Sequence, residues 1–338
     1  MPAWEELIFS YAAAFLPVLI FLAGLRLMDS FKLVPRLRIV ACLAAGGLAA
    51  VACFYVNTLA FQVFPAEVYA RLGGPVVEQL AKCCFWVFLI ATARVAFMVD
   101  AGICAFAVGA GFALVENFFY LHELQVSGLA ISVVRGFGTA VMHGGVEAIW
   151  AMAAVFIGER LGWGGVRQFG PGVVAATVIH ALFNQGFLSP VGSAMAMLVT
   201  MPVLLVGLFS WSEGAMRRWL GDKLDRDIAL LEMIATGEFG RSRPGLYLQS
   251  LQGAFPPEVR GDMLCMLQMT IELSARSKGD LMLREAGVKM PPDPEIDAQL
   301  TELSYLEKSI GRTGMLAIAP LLSRTPRELW EMRRLAKD

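Results

Sequence analysis

Eight side chains in this sequence are polar where their neighbours are not: Glu78 and Lys82 in "VEQLAK", Glu116 and Asn117 in "GFALVENFFY", His143 and Glu147 in "MHGGVEA", and His180 and Asn184 in "IHALFN". Three of these pairs are spaced i, i+4, so each pair shares one face of a helix. Carboxylates and imidazoles are the groups that move protons near neutral pH and that ligate divalent cations. All eight are embedded in long apolar runs. An ionisable group at membrane depth costs at least a few kcal/mol, so such groups face a cavity or a partner and mark working sites.

The elements that must position them are membrane helices. The chain is 57% hydrophobic and 17% charged, too apolar for an ordinary soluble protein. Its mean hydropathy is +0.61. Residues 1–211 carry 20 of the 57 Asp, Glu, Lys and Arg residues and residues 212–338 carry 37. The expected organisation is therefore a transmembrane domain over 1–211 and a soluble helical domain over 212–338. Net charge is −1 and no basic block appears, which argues against nucleic acid as a partner. Five of the six cysteines lie in apolar segments and read as buried hydrophobes. The start, "MPAWEELIFS", lacks the positive region of a signal peptide, so its apolar run is expected to be a permanent anchor.

Crossing the hydrocarbon core takes roughly 20 apolar residues. Seven segments qualify: 7–27, 37–60, 76–94, 99–121, 137–158, 169–188 and 192–211. Basic residues alternate between the connections. Arg26, Lys32, Arg36 and Arg38, then Arg94, then Arg160 and Arg167, then Arg217, Arg218 and Lys223 fall on one side, and only Arg71 and Arg135 on the other. The positive-inside rule then places the N-terminus outside and the C-terminus in the cytoplasm. Under that topology, at about 1.5 Å per residue, Glu78, Glu116, His143 and His180 all lie in the outer half of the bilayer. Small residues recur every four positions at Ala101, Ala105, Gly109 and Ala113, and again at Gly136, Ala140, Gly144 and Ala148. Such stripes let helix backbones approach closely and put the fourth and fifth segments in the bundle core. A weaker stripe, Ala41, Ala45, Ala49 and Cys53, runs along the second.

Taken in order on consecutive segments, "EQLAK", "GFALVENFFY", "HGGVEA" and "HALFN" resemble the motifs of the PrsW-type intramembrane proteases, and more distantly those of the CAAX prenyl endopeptidase and Abi group. The likeness covers roughly residues 70–190. It implies an all-α polytopic membrane bundle with site residues Glu78 and Lys82, Phe112, Glu116 and Asn117, His143, and His180 and Asn184. One position departs from the family pattern EExxK: its second glutamate is Gln79 here. The resemblance implies an intramembrane endopeptidase acting on a membrane protein, such as a single-span anti-sigma factor, within the lipid bilayer. Two Glu and two His that converge (Glu78, Glu116, His143 and His180) can hold a divalent metal such as Zn²⁺ and activate its water. A metal-free version would use Glu78 as general base, with His180 and Asn184 donating to the oxyanion. Lys82 is placed to hold the Glu78 carboxylate, and Asn117 and Glu147 to support the ligands from behind.

Each feature also has a purely structural reading. Glu78 and Lys82 can form an interfacial ion pair, His143 can be a satisfied core histidine, and His180 and Asn184 can be interhelical hydrogen-bond glue. Glu116 is hardest to explain that way, since no cation is close to it in sequence. His122 is expected in an outer loop. Two other function classes are open at this stage: an ion-coupled transporter and a non-catalytic receptor or scaffold. No internal repeat or pair of broken helices supports the transporter. The soluble region reads as amphipathic helices over "DKLDRDIALLEMIATG", from the prolines at 256–257 to Gly287, and from Pro294, with a last one capped by Thr325 and Pro326. A regulatory or partner-binding role is expected there.

Overall fold

The computed structural model describes residues 3–122, 129–162, 164–288, 291, 293–322, 327 and 330. Among these there is no strand. Seven helices are long and apolar enough to cross a membrane, so the chain is a polytopic helical membrane protein. We label the helices α1 (Ala3–Met28), α2 (Arg36–Ala60), α3 (Gly74–Ala91), α4 (Met98–His122), α5 (Ala140–Leu161), α6 (Val166–Asn184), α7 (Pro190–Ala235), α8 (Arg243–Ser250), α9 (Pro257–Glu285) and α10 (Pro294–Ile318). The chain divides into two compact units, Met1–Glu213 and Gly214–Asp338.

In the first unit α4 is the central helix. Every residue from Met98 to Ala113 is buried. The small-residue stripes explain how this is possible. A Cβ on Gly109 would lie 2.4 Å from the carbonyl oxygen of His143, and one on Gly111 would lie 2.0 Å from that of Leu43. Helices α5 and α2 thus press their backbones onto two sides of α4. On α2 the expected stripe is only partly the packing face. The buried face is Ile39, Cys42, Gly46, Ala50 and Cys53, with Ala49 packed against it, while Ala41 is exposed. Gly46 decides it, because its Cβ position lies 1.9 Å from the Val108 carbonyl oxygen and only a glycine fits. The outward faces carry Leu37, Leu48, Leu59, Val174 and Val203, all more than half exposed, as suits a surface covered by lipid.

Two spans begin with a stretch of wider helix. Ala66–Val68 and the π-helical Tyr69–Gly73 lead into α3, and Leu129–Val134 and the π-helical Arg135–Thr139 lead into α5. Both spans therefore start earlier than the apolar runs indicate. His122 is not in a loop; it ends α4. Nor does the seventh segment stop at 211. Helix α7 runs unbroken through Ala235, so "DKLDRDIALLEMIATG" is its last part and not a separate helix.

The second unit is helical, with a core of Phe239, Leu248, Met263, Leu267, Ile271, Leu306 and Ile310 among others. Its helix ends follow the Gly and Pro punctuation. Gly237 (φ 78°) and Gly287 (φ 81°) take the left-handed conformation that ends a helix without a Cβ penalty. Asp293 caps α10 by accepting from the Glu295 amide. The expected helix starting at Thr325 and Pro326 falls largely outside the described residues.

Candidate active site

Helices α3, α4, α5 and α6 each bring polar groups to one end of the bundle, where α4 and α6 finish and α3 and α5 begin. Glu78, Glu116, His143 and His180 line one cavity of about 910 Å³ there. Three of the four form a tight group: ligand-capable atoms of Glu78, His143 and His180 lie within 4.8 Å of one another. The two imidazoles meet edge-on, with ring centres 4.8 Å apart. Glu116 is not in that group and joins it through His143, its Oε2 lying 3.1 Å from His143 Nε2.

The partners of His143 set its proton. Lys82 Nζ lies 3.0 Å from Nδ1. An ammonium has no lone pair, so Nδ1 accepts from Lys82, and Nε2–H donates to Glu116. His143 can thus lend Nε2 to a metal only when its proton moves to Nδ1, which releases both Glu116 and Lys82. Glu78 and His180 are less engaged. Glu78 Oε2 and His180 Nδ1 are buried with no hydrogen-bond partner, and Glu78 Oε2 stands 3.7 Å from His180 Nε2. Bonds of about 2.0–2.1 Å put neighbouring donors of a tetrahedral shell roughly 3.3 Å apart. Glu78 Oε2 and His180 Nε2, 3.7 Å apart, come close to that spacing. The donor set, the orphaned atoms and the spacing all fit a divalent metal.

Behind the cavity lies a second, dry layer. Lys82 and Glu147 are 1% and 0% exposed and pair at 3.4 Å. Trp86 Nε1 donates to Glu147 Oε2 at 3.0 Å, and Gln79 also faces Glu147. Lys82 therefore serves His143 and Glu147, and is hydrogen-bonded to neither oxygen of Glu78, the carboxylate the spacing suggested. Phe112 packs between the two layers, 5.2 Å from the His143 ring and 5.0 Å from Lys82 Nζ. Asn184 Nδ2 donates to the Ala70 carbonyl in the first π-helical stretch.

Glu116 does have a cation, one that sequence proximity could not reveal. Arg135 opens the second π-helical stretch and reaches in from the other side. Its Nη2 lies 3.4 Å from Glu116 Oε2, and its Nε donates to Asn117 Oδ1 at 2.9 Å. Asn117 is itself tied to the Ala14 carbonyl of α1 at 3.0 Å. Sequence reasoning counted Arg135 only as a charge in an outer connection. Trp86 was missed as well, having no polar spacing to mark it.

Comparison with curated proteins and with solved structures gives no match. The family described as "PrsW family intramembrane metalloprotease" matches residues 34–208, more than half of the chain and a stretch holding every residue of this site except Ala14. The chain therefore belongs to the PrsW family of intramembrane metalloproteases.

Proposed function

We propose that this protease cuts its membrane-protein substrate at the Glu78–His143–His180 cluster, and that these three residues hold one divalent metal, zinc, with the Glu116 carboxylate free beside it. The observation that carries this is the convergence of three ligand-capable groups from three helices within 4.8 Å of one another, on the wall of a cavity. Two imidazoles and one carboxylate are a donor set used by zinc peptidases. When bound, such an ion supplies a Lewis acid for the scissile carbonyl and a water acidic enough to attack at neutral pH.

The protein's own groups do the rest. Glu116 Oε2, facing the cavity, takes the proton of the attacking water and returns it to the leaving amine. Arg135 keeps that carboxylate ionised and in place. Glu147 and Trp86 hold Lys82 beside the His143 ring, where it fixes the ring's position; for Nε2 to ligate, the ring's proton must sit on Nδ1, and Lys82 then turns to Glu147. Phe54, Phe61, Phe118 and Phe119 line the same cavity and suit an apolar substrate segment. A single-span protein such as an anti-sigma factor is the substrate type we favour. The alternating basic loops support a site in the outer half of the bilayer, with the N-terminus outside and the C-terminus cytoplasmic. For the Gly214–Asp338 unit we favour a regulatory or partner-binding role.

Two measurements test this on purified full-length protein. Elemental analysis should find about one zinc per chain, and His180→Ala should lose it while the protein still inserts. Glu116→Gln keeps the size and removes the base, so it should stop cleavage of a peptide that the wild type cuts. A metal-free preparation that cleaves at the full rate would replace the metal by a mechanism in which Glu78 activates water directly. Full activity in Glu116→Gln would remove Glu116 from the site.

A further inference from the structure

Peptide hydrolysis needs a donor for the negative oxygen that develops on the scissile carbon. The polar side chains of this site are mostly spent elsewhere. Asn184 Nδ2 is used by the Ala70 carbonyl, and Lys82 lies in the dry layer on His143 and Glu147. Two cations line the cavity, Arg71 and Arg135. Arg71 pairs with Glu67 and its side chain is 46% exposed, so it belongs to the rim.

Arg135 is different on every count. Its side chain is 14% exposed. Its guanidinium carbon sits 3.8 Å from the centre of the Tyr120 ring, a stacking contact that fixes the plane. Asn117 takes Nε, which fixes rotation within that plane. Glu116 fixes the charge, yet Nη2 completes no hydrogen bond with it and is buried without a partner. The backbone beneath is built to the same end. Arg135 begins a π-helical stretch, a feature frequent at functional sites. That stretch sits against α1 so closely that a Cβ on Gly136 would lie 2.0 Å from the Ala13 carbonyl oxygen.

The geometry points to Arg135 as the oxyanion donor: a clamped guanidinium on the cavity wall whose Nη2, held beside Glu116 without completing a hydrogen bond to it, turns an N–H to the tetrahedral oxygen when substrate fills the cavity. This rests on the hydrolytic reading of the site. No bond to Arg135 is made or broken; it donates hydrogen bonds to an oxygen that carries more charge in the transition state than in the substrate.

The test compares two uncleavable pseudo-peptides of one apolar sequence, a phosphinic one that mimics the tetrahedral state and a ketomethylene one that mimics the substrate carbonyl. Binding of each to full-length protein in lipid nanodiscs is measured by calorimetry. Wild type should prefer the phosphinic compound. Arg135→Lys keeps a positive charge but loses the fork and the stacking, and should weaken phosphinic binding about 10–100-fold, as for a hydrogen bond to a charged group, while ketomethylene binding changes less than about twofold. Tyr120→Leu, which leaves the arginine and removes its platform, should shift the same ratio in the same direction and carries the test alone if Arg135→Lys does not insert. Equal weakening of both compounds, or of neither, overturns the assignment of Arg135. A wild type with no preference between the compounds overturns the hydrolytic site itself.

Discussion

Removing the charge of Glu147 should unfold the site without touching the cavity. Glu147 and Lys82 are buried together, 0% and 1% exposed, with 3.4 Å between Oε1 and Nζ. Breaking one side of such a pair leaves an uncompensated charge and costs about 3–5 kcal/mol. Glu147→Gln should fall in that range, because the amide still accepts from Trp86 but no longer balances Lys82. Lys82→Met should sit at the low end, since Trp86 and Gln79 still face the carboxylate left behind. The double variant has no buried charge at this spot. Replacing a buried pair by uncharged groups of similar volume is often neutral, so it should return to within about 2 kcal/mol of wild type. Unfolding in mixed micelles, followed by circular dichroism, gives the four stabilities of the cycle. The coupling should be at least about 3 kcal/mol. Cleavage should not return with stability, because Lys82 no longer holds the His143 ring in position. Additive losses, or a cost below about 1 kcal/mol for Glu147→Gln, would refute the idea that this dry pair supports the site.

Two further outcomes are expected. Gly109→Ala places a methyl 2.4 Å from the His143 carbonyl oxygen, so α4 and α5 must part; the overpacking should cost about 1–3 kcal/mol and lower metal content, both measurable on one purified sample. A reporter fused at the C-terminus should respond as cytoplasmic and one inserted between 122 and 135 as external; reversed signals would move the site to the inner half of the membrane.

The sequence revealed what repeats or what stands out against lipid. The pairs Glu78–Lys82, His143–Glu147 and His180–Asn184 announce a shared helix face by spacing alone, and the similar depth of Glu78, Glu116, His143 and His180 along their spans anticipates the cavity these four line. What spacing cannot say is which neighbour a long side chain chooses. Lys82 passes over Glu78 on its own helix for His143 and Glu147 on α5, because the buried side of α3 faces that helix. Arg135 was hidden for a related reason: its backbone lies at the start of a span, and only the folded path over Tyr120 brings the guanidinium to Glu116. On α2 the alanines drew attention by number, whereas the face was decided by Gly46, the one position where the Val108 carbonyl leaves no space for a side chain. Hydropathy gave no sign of the continuation of α7 past 211, since a helix keeps its hydrogen bonds when its side chains turn polar.

The two π-helical stretches, Tyr69–Gly73 and Arg135–Thr139, have a consequence for how the chain tolerates length changes. A π turn accommodates one surplus residue in a helix while the turns on either side keep their angular phase. Deleting one residue within Gln79–Ala81 would swing Lys82 round by about 100° relative to Glu78, since an α-helix has 3.6 residues per turn. Deleting one from Tyr69–Gly73 would convert that stretch to ordinary α-helix and leave Glu78 pointing as before. The same holds for His143 below Arg135–Thr139. Each stretch holds one residue that its span could lose without turning the helix face below it.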